Sequence, residues 1–183
     1  NMVSIKKARK VFRIKTENYN KKGLILGKVK GKIEFRKVSF KYPGKEPVLQ
    51  GISFTALPGQ KIAIVGGSGE GKTTLVDLLS LYFLPTKGNI FIDGVNIKKM
   101  NLQFLREIIA YVPQEIILFN DTIKNNILYG KPGAKESEII EAAKSANIHD
   151  FIISLSKKYD TLVGERGIKL STGQKQRIAI ARA

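Results

Sequence analysis

The chain has 183 residues, 43% apolar and 26% charged, enough for one sizeable core or a core with a small lobe. No apolar run reaches the roughly 18 residues a membrane span needs, and the absence of cysteine excludes disulfides and thiolate metal sites. The net charge is +17, and residues 1–41 hold 14 of the 32 Lys and Arg against two acids, Glu17 and Glu34. Such a stretch suits nucleic acid, an anionic membrane surface or a plain solvated face. Without an aromatic ladder or a nucleic-acid module beside it, nucleic acid is the least favoured of the three.

Residues 4–14 place Ile5, Ala8, Val11 and Phe12 on one helical face and read as the end of a helix begun upstream. Asn1 precedes Met2, so the chain is expected to be a piece of a longer polypeptide, and its basic start is not read as a targeting peptide. Residues 15–32, rich in Lys, Asn and Gly, read as a linker. Residues 33–40 and 48–57 alternate apolar and polar positions as strands do, with Tyr42-Pro43-Gly44 turning between them. The continuous apolar run at 61–65 predicts a parallel strand covered on both faces. A glycine loop follows, then a helix over about 71–83 ended by Pro85. Residues 89–93 and 95–97 flank Asp93-Gly94, a hairpin signal. A short helix is expected near Asn101 and another buried strand over 108–112, ahead of Pro113-Gln114. Residues 115–169 turn mainly helical, with helices expected over 121–128, 135–146 and 149–157 and a last one starting near Ser171. No internal repeat is found.

GGSGEGKT at 66–73 fits G-x-x-x-x-G-K-[ST], directly after an expected strand and directly before an expected helix, the context this motif requires. Its glycines allow backbone N–H groups to turn inward around a phosphate, and the helix N-terminus adds partial positive charge. Gly66, Gly67, Ser68, Gly69, Glu70 and Gly71 would form that cradle. Lys72 would reach the β- and γ-phosphates, Thr73 would ligate Mg²⁺, and Thr74 would sit near the α-phosphate. The plain alternative is a glycine-rich turn carrying a surface lysine.

LSTGQKQR at 170–177 resembles the signature of ABC-type ATPases, usually written LSGGQ. Other segments then fall into the family's order. Tyr42, 24 residues before the loop, stands where the family places an adenine-stacking aromatic; Gln114 in YVPQE resembles its Q-loop. TLVGERG at 161–167 and FNDTIKNNILYG at 119–130 resemble exporter-type domains, and the similarity covers residues 33–183. The resemblance implies that Ser171, Thr172, Gly173 and Gln174 face the γ-phosphate of ATP held by a second, head-to-tail domain. It also implies that Gln114 contacts Mg²⁺ and the attacking water, so that Gln114 and Lys72 carry the catalytic roles. Each has a plain reading: a turn aromatic for Tyr42, a surface loop for Gln114, a simple N-cap for Ser171.

The fold class that follows is α/β, a P-loop NTPase core whose mixed sheet includes an antiparallel β subdomain, plus an inserted helical lobe. The expected divisions are a basic juxtamembrane helix end and linker (1–32), an ATP-binding core (33–114), a helical subdomain (115–170) and the signature helix (171–183). Two departures stand out. Thr172 occupies a position the family usually gives to glycine, and a side chain there narrows the approach of a phosphate. After IAIARA the family continues into a strand ending in an Mg²⁺-associated aspartate, a catalytic glutamate and a switch histidine, all expected past Ala183. This stretch alone is therefore expected to bind MgATP and hydrolyse it hardly at all. Asp93 lies too early for that strand, His149 is expected to be an exposed structural residue, and Glu165 is not cast as general base. The resemblance implies an ATP-binding domain on the cytoplasmic face of a membrane, joined to an upstream transmembrane domain and pairing with a second nucleotide-binding domain. A soluble relative acting on nucleic acid or ribosomes is the alternative; a P-loop kinase is set aside for want of a lid pattern.

Overall fold

The structure, a computed structural model, describes residues 22–183 together with Ile5, Lys7, Arg9, Phe12 and Arg13. Of the expected N-terminal helix, Ile5, Lys7, Arg9 and Phe12 are helical, whereas Ala8 and Val11 lie outside the described residues, as do 15–21 of the linker. The chain divides into two compact units, one reaching to Ile109 and the other running from Ala110 to Ala183.

The first unit is built on strands β1 (Ile33–Lys41), β2 (Pro47–Ala56), β3 (Lys87–Ile92) and β4 (Val95–Asn96), in the order β2-β1-β3-β4 with every pairing antiparallel. Phe35 stands opposite Phe54 on one side and Ile90 on the other. A bulge between Phe35 and Val38 puts two residues on β1 where one would keep the alternation, and Lys37 takes a left-handed φ of 49° to absorb it. Phe35, Val38 and Phe40 consequently all face the core. Gly88 opposite is needed because a Cβ there would collide with the carbonyl of Lys37. Asp93 (φ 48°) and Gly94 (φ 80°) form the two-residue turn the sequence predicts, with left-handed angles at both positions as a type I′ hairpin demands.

Helix α1 (Lys72–Leu79) lays Leu75 and Leu78 into this core, and α2 (Leu102–Glu107) adds Leu102 and Leu105. Asn101 caps α2, its Oδ1 accepting the Phe104 N–H at 2.9 Å. The expectation that α1 runs to about 83 is corrected. Leu81 (φ 53°) donates its N–H to Leu78 O, and Tyr82 donates to Asp77 O at 3.0 Å, a Schellman stop without glycine. Leu81 packs on the core, and that burial outweighs the strain of its backbone.

Two expected strands do not form. Residues 61–65 and 108–112 carry no ladder; Ile62 and Ile64 are more than 40% exposed and Val65 is 88% exposed. An apolar run encodes a wish for burial, but a parallel strand also needs a neighbour to take its N–H and C=O groups. Among the described residues the sheet is antiparallel, and parallel pairing is limited to the isolated Leu24–Met100 bridge. That bridge corrects the linker reading too. Leu24 donates to Lys99 O at 2.8 Å and accepts from Asn101 N–H at 2.9 Å, and Leu26 packs against the core. The Asp93 carboxylate then accepts the backbone N–H groups of Lys30 (2.7 Å), Gly31 (3.2 Å) and Lys32 (2.9 Å). Residues 30–32 are strapped to the hairpin.

The second unit holds α3 (Ile123–Leu128), α4 (Glu136–Ser145), α5 (His149–Ser154) and α6 (Thr172–Arg182) around Ile123, Ile127, Ile139, Ala143, Ile152, Val163 and Ile178. These helices match the expected sites, although α3 starts two residues late, α4 is one residue shorter at each end, and α5 stops three residues early. Residues 161–163 run antiparallel to 121–123, with Ile123 donating to Thr161 O and Val163 to Asp121 O.

Burial opposes it, but the backbone donors from Lys32, Lys30 and Gly31 hold the Asp93 carboxyl below the ordinary aspartate range. A depressed folded value stabilises the fold above the unfolded value near ~3.9, and that contribution is lost as pH falls through the folded value. Asp93→Asn keeps one acceptor and tolerates the left-handed turn. It should cost about 1 kcal/mol at neutral pH and speed amide exchange at 30–32. The difference from wild type should shrink as pH falls through the folded value, as urea unfolding across pH would show.

Candidate functional site

In the first unit the loop at 66–71 leaves residue 65 and enters α1. Gly69 (φ 85°) and Gly71 (φ 87°) are left-handed, which bends the backbone around so that N–H groups can face inward. Gly71 has a second reason to lack a side chain: a Cβ would stand 2.7 Å from Val48 Cγ1 and 3.0 Å from Leu49 Cδ2, both on β2. Lys72 folds back over the loop, its Nζ donating to Gly66 O at 2.9 Å and Gly67 O at 2.5 Å. Its ammonium therefore lies across the mouth of the loop, where it can meet anionic oxygen. Glu70 Oε2 accepts the Gly67 N–H at 2.8 Å. Thr73 is exposed in the first turn of α1, and Thr74 is buried with its hydroxyl 3.0 Å from the Tyr42 hydroxyl. The Tyr42 ring stands edge-on to Phe40 and Phe83, at centroid distances of 4.9 and 5.2 Å. The structure thus joins Tyr42, Thr74 and the loop around the start of one helix.

In the second unit, α6 opens on a capping box. Ser171 Oγ accepts the Gln174 N–H at 3.3 Å and Gln174 Oε1 accepts the Ser171 N–H at 2.8 Å. This cap uses a lone pair of Ser171 and leaves the hydroxyl hydrogen able to donate. Ser171, Thr172 and Gly173 are all exposed at a helix N-terminus, whose amides and dipole favour an anion. Gln174 spends its Oε1 on this box, holding the Ser171 backbone. Gln114 is exposed in a bend of the same unit. Glu165 sits in a one-turn 3₁₀ helix, Glu165–Gly167, entered through left-handed Gly164 (φ 76°). His149 is half-buried rather than exposed, because its Nδ1 lies 2.9 Å from the Tyr159 hydroxyl across the start of α5.

Sequence reasoning missed Asn126 and Arg182. Asn126 is fully buried, its Oδ1 accepting from Phe119 N–H and its Nδ2 donating to Phe119 O and Thr122 O. Arg182, near the end of α6, donates through Nη2 to Asn126 Oδ1 (2.8 Å), through Nε to Asn126 O (2.9 Å) and through Nη1 to Ile117 O (3.1 Å). Burial lowers its guanidinium pKa, and three acceptors offset the lost water. Gly130 lets the end of α3 touch α6, since a Cβ there would collide with Arg182 O. The available signal was an Asn on the same helical face as Ile123 and Ile127; its partner, 56 residues away, was not readable.

A family described as ABC transporter matches residues 49–183. The chain belongs to this ABC transporter family. It is 46% identical over 170 residues to P-glycoprotein 14 of Caenorhabditis elegans, covering 92% of this chain and 13% of that protein. It is 52% identical over 158 residues to the ATP-dependent lipid A-core flippase of Syntrophus aciditrophicus (strain SB), covering 86% of this chain and 26% of that one. Its backbone is similar to the structure of a bacterial Atm1-family ABC exporter with ATP bound, at a TM-score of 0.88 and 40% identity, over 99% of this chain and 32% of that chain. The chain thus spans about an eighth to a third of the proteins it resembles. Its fold is that of the P-loop NTPase domain of an ABC exporter, and family membership carries ATP binding with it.

Replacing Arg182 by Leu should leave Asn126 Oδ1 and the carbonyls of Ile117 and Asn126 short of donors, costing about 2–3 kcal/mol. Thermal unfolding reads this; a loss under about 0.5 kcal/mol, the range of ordinary surface changes, would show that water replaces the guanidinium.

Proposed function

We propose that this chain is the ATP-binding domain of an exporter, holding MgATP in the loop at 66–73 and closing head-to-tail on a second such domain. The observation that carries the reading is one chain bearing two complementary half-sites. One is a left-handed glycine loop spanned by Lys72; the other is an exposed, capped helix N-terminus at Ser171-Thr172-Gly173. A triphosphate needs many N–H donors and a cation, and the first half-site supplies them for the inner phosphates. The second offers amides and a hydroxyl suited to the outermost phosphate of a nucleotide on a partner domain.

Within this reading Tyr42 stacks on adenine. Its anchoring to Thr74 and its packing between Phe40 and Phe83 would hold the ring close to the loop. Thr73, one hydroxyl exposed beside the phosphate cradle, fits a magnesium ion that takes most of its oxygens from phosphate and water. Such an ion supplies charge neutralisation on the transferred phosphoryl group. Gln114 is the residue assigned to that ion and to orienting the attacking water, and Lys72 neutralises the β- and γ-phosphates. Residues 115–170 form the helical lobe, bracketed by Gln114 on one side and the signature at Ser171 on the other. Hydrolysis by the whole polypeptide then drives transport, through a membrane domain joined upstream of residue 33, with this domain on the cytoplasmic face. The relatives named above are transporters, and none of those named supports a soluble ATPase acting on nucleic acid.

Lys72→Ala should weaken binding of a fluorescent ATP analogue at least tenfold, about 1.4 kcal/mol. Undiminished affinity would sink the assignment of the loop. Thr172→Gly should open the helix N-terminus and strengthen ATP-dependent pairing of two domains about threefold, measured by sedimentation velocity. Weaker pairing would mean that the Thr172 side chain contributes contacts instead of crowding them.

A further inference from the structure

The phosphate loop carries its own anion. Glu70 lies inside the loop, immediately before the left-handed Gly71, and its side chain turns back over the two residues that begin the loop. Oε2 accepts the Gly67 N–H at 2.8 Å, and Oε1 lies 3.0 Å from where a Cβ on Gly67 would stand. The Glu70 N–H also points at Gly67 O, at 3.5 Å, so the carboxylate closes a turn over residues 67–70. Lys72 Nζ, the cation meant for phosphate, donates to the carbonyls of the same two residues, Gly66 and Gly67. The carboxylate and the ammonium are thus gathered on one short piece of backbone.

We propose that Glu70 is an affinity-setting residue, an internal carboxylate that competes with nucleotide phosphate for the loop and keeps ATP binding weaker than the loop alone would allow. This rests on the nucleotide-binding reading above. Two physical effects act in the same direction. A phosphate oxygen that takes the Gly67 N–H must displace a charge-assisted hydrogen bond. A phosphate that leaves that donor in place still lies within a few ångströms of a like charge, in a loop built to concentrate negative charge. The opposing effect is preorganisation: by bridging 67 and 70, the side chain holds the turn in shape. Glu70 is exposed, and the Gly67 N–H can be satisfied by water, so the bridge is worth little while the repulsion acts on every phosphate. Repulsion therefore wins.

Glu70→Gln separates the two effects, since the amide oxygen can still accept from Gly67 while the charge is gone. Binding of adenosine, ADP and ATP to the wild-type chain, to E70Q and to Glu70→Ser would be measured by calorimetry in low and high salt. Both variants should bind ATP roughly fivefold more tightly than wild type at low salt, with a smaller gain for ADP and none for adenosine. The gain should shrink at high salt, which a merely structural role would not produce. E70Q binding ATP equally well or less well, in a chain whose wild type binds it, overturns this inference alone. No ATP binding by any of the three chains removes the nucleotide reading and this inference together.

Discussion

Gly71 is the constraint on which the arrangement of the site depends. Helix α1 must begin hard against β2 for Leu75 and Leu78 to reach the core and for Lys72 to fold back across the loop. That start leaves no room for a Cβ, because Val48 and Leu49 already fill the space, and it requires a left-handed turn. Only glycine meets both demands at once. The antiparallel sheet is therefore the wall that fixes where the phosphate loop turns and in which direction its amides point. The same wall carries Phe40, and through it the ring of Tyr42 and the hydroxyl of Thr74.

The second unit solves a similar problem with polar groups. A helix N-terminus can present amides to an anion only if the helix itself is held still. The hydrophobic face of α6 supplies part of that hold through Ile178, Ala179 and Ala181. The rest comes from Arg182, whose guanidinium ties the far end of α6 to α3 and to residue 117 through three acceptors. A directional polar network resists displacement, because its geometry tolerates little of it. Anchoring one end of α6 leaves the other end, with Ser171, free to face outward.

Much of the local structure was legible because a few residues carry steric or hydrogen-bonding requirements of their own. Asp93-Gly94 gave its hairpin because both positions must be left-handed; Asn101 and Ser171 gave helix starts because their side chains cap amides. Elements whose form depends on a distant partner were misjudged. Residues 61–65 and 108–112 have the composition of buried strands and no ladder to join. Helix α1 stops at Leu79 although nothing in Ser80 or Leu81 says stop, because packing of Leu81 on the core favours a left-handed exit. The stretch before β1 reads as a linker, yet Asp93 and the Leu24 bridge hold its described part, through backbone groups that every residue but proline possesses.

The sequence by itself determined the phosphate loop, the capped signature helix and their order, since each is a short-range pattern in which spacing and residue type fix the chemistry. Family membership follows from that order. Only the tertiary structure decided which of these side chains are already engaged. Gln174 closes a cap, the Tyr42 hydroxyl meets Thr74, His149 meets Tyr159, and Glu70 turns its carboxylate onto the loop that holds it. A side chain's rotamer and its partner are set by what surrounds it, and the surroundings of a loop are assembled from segments far apart in the chain.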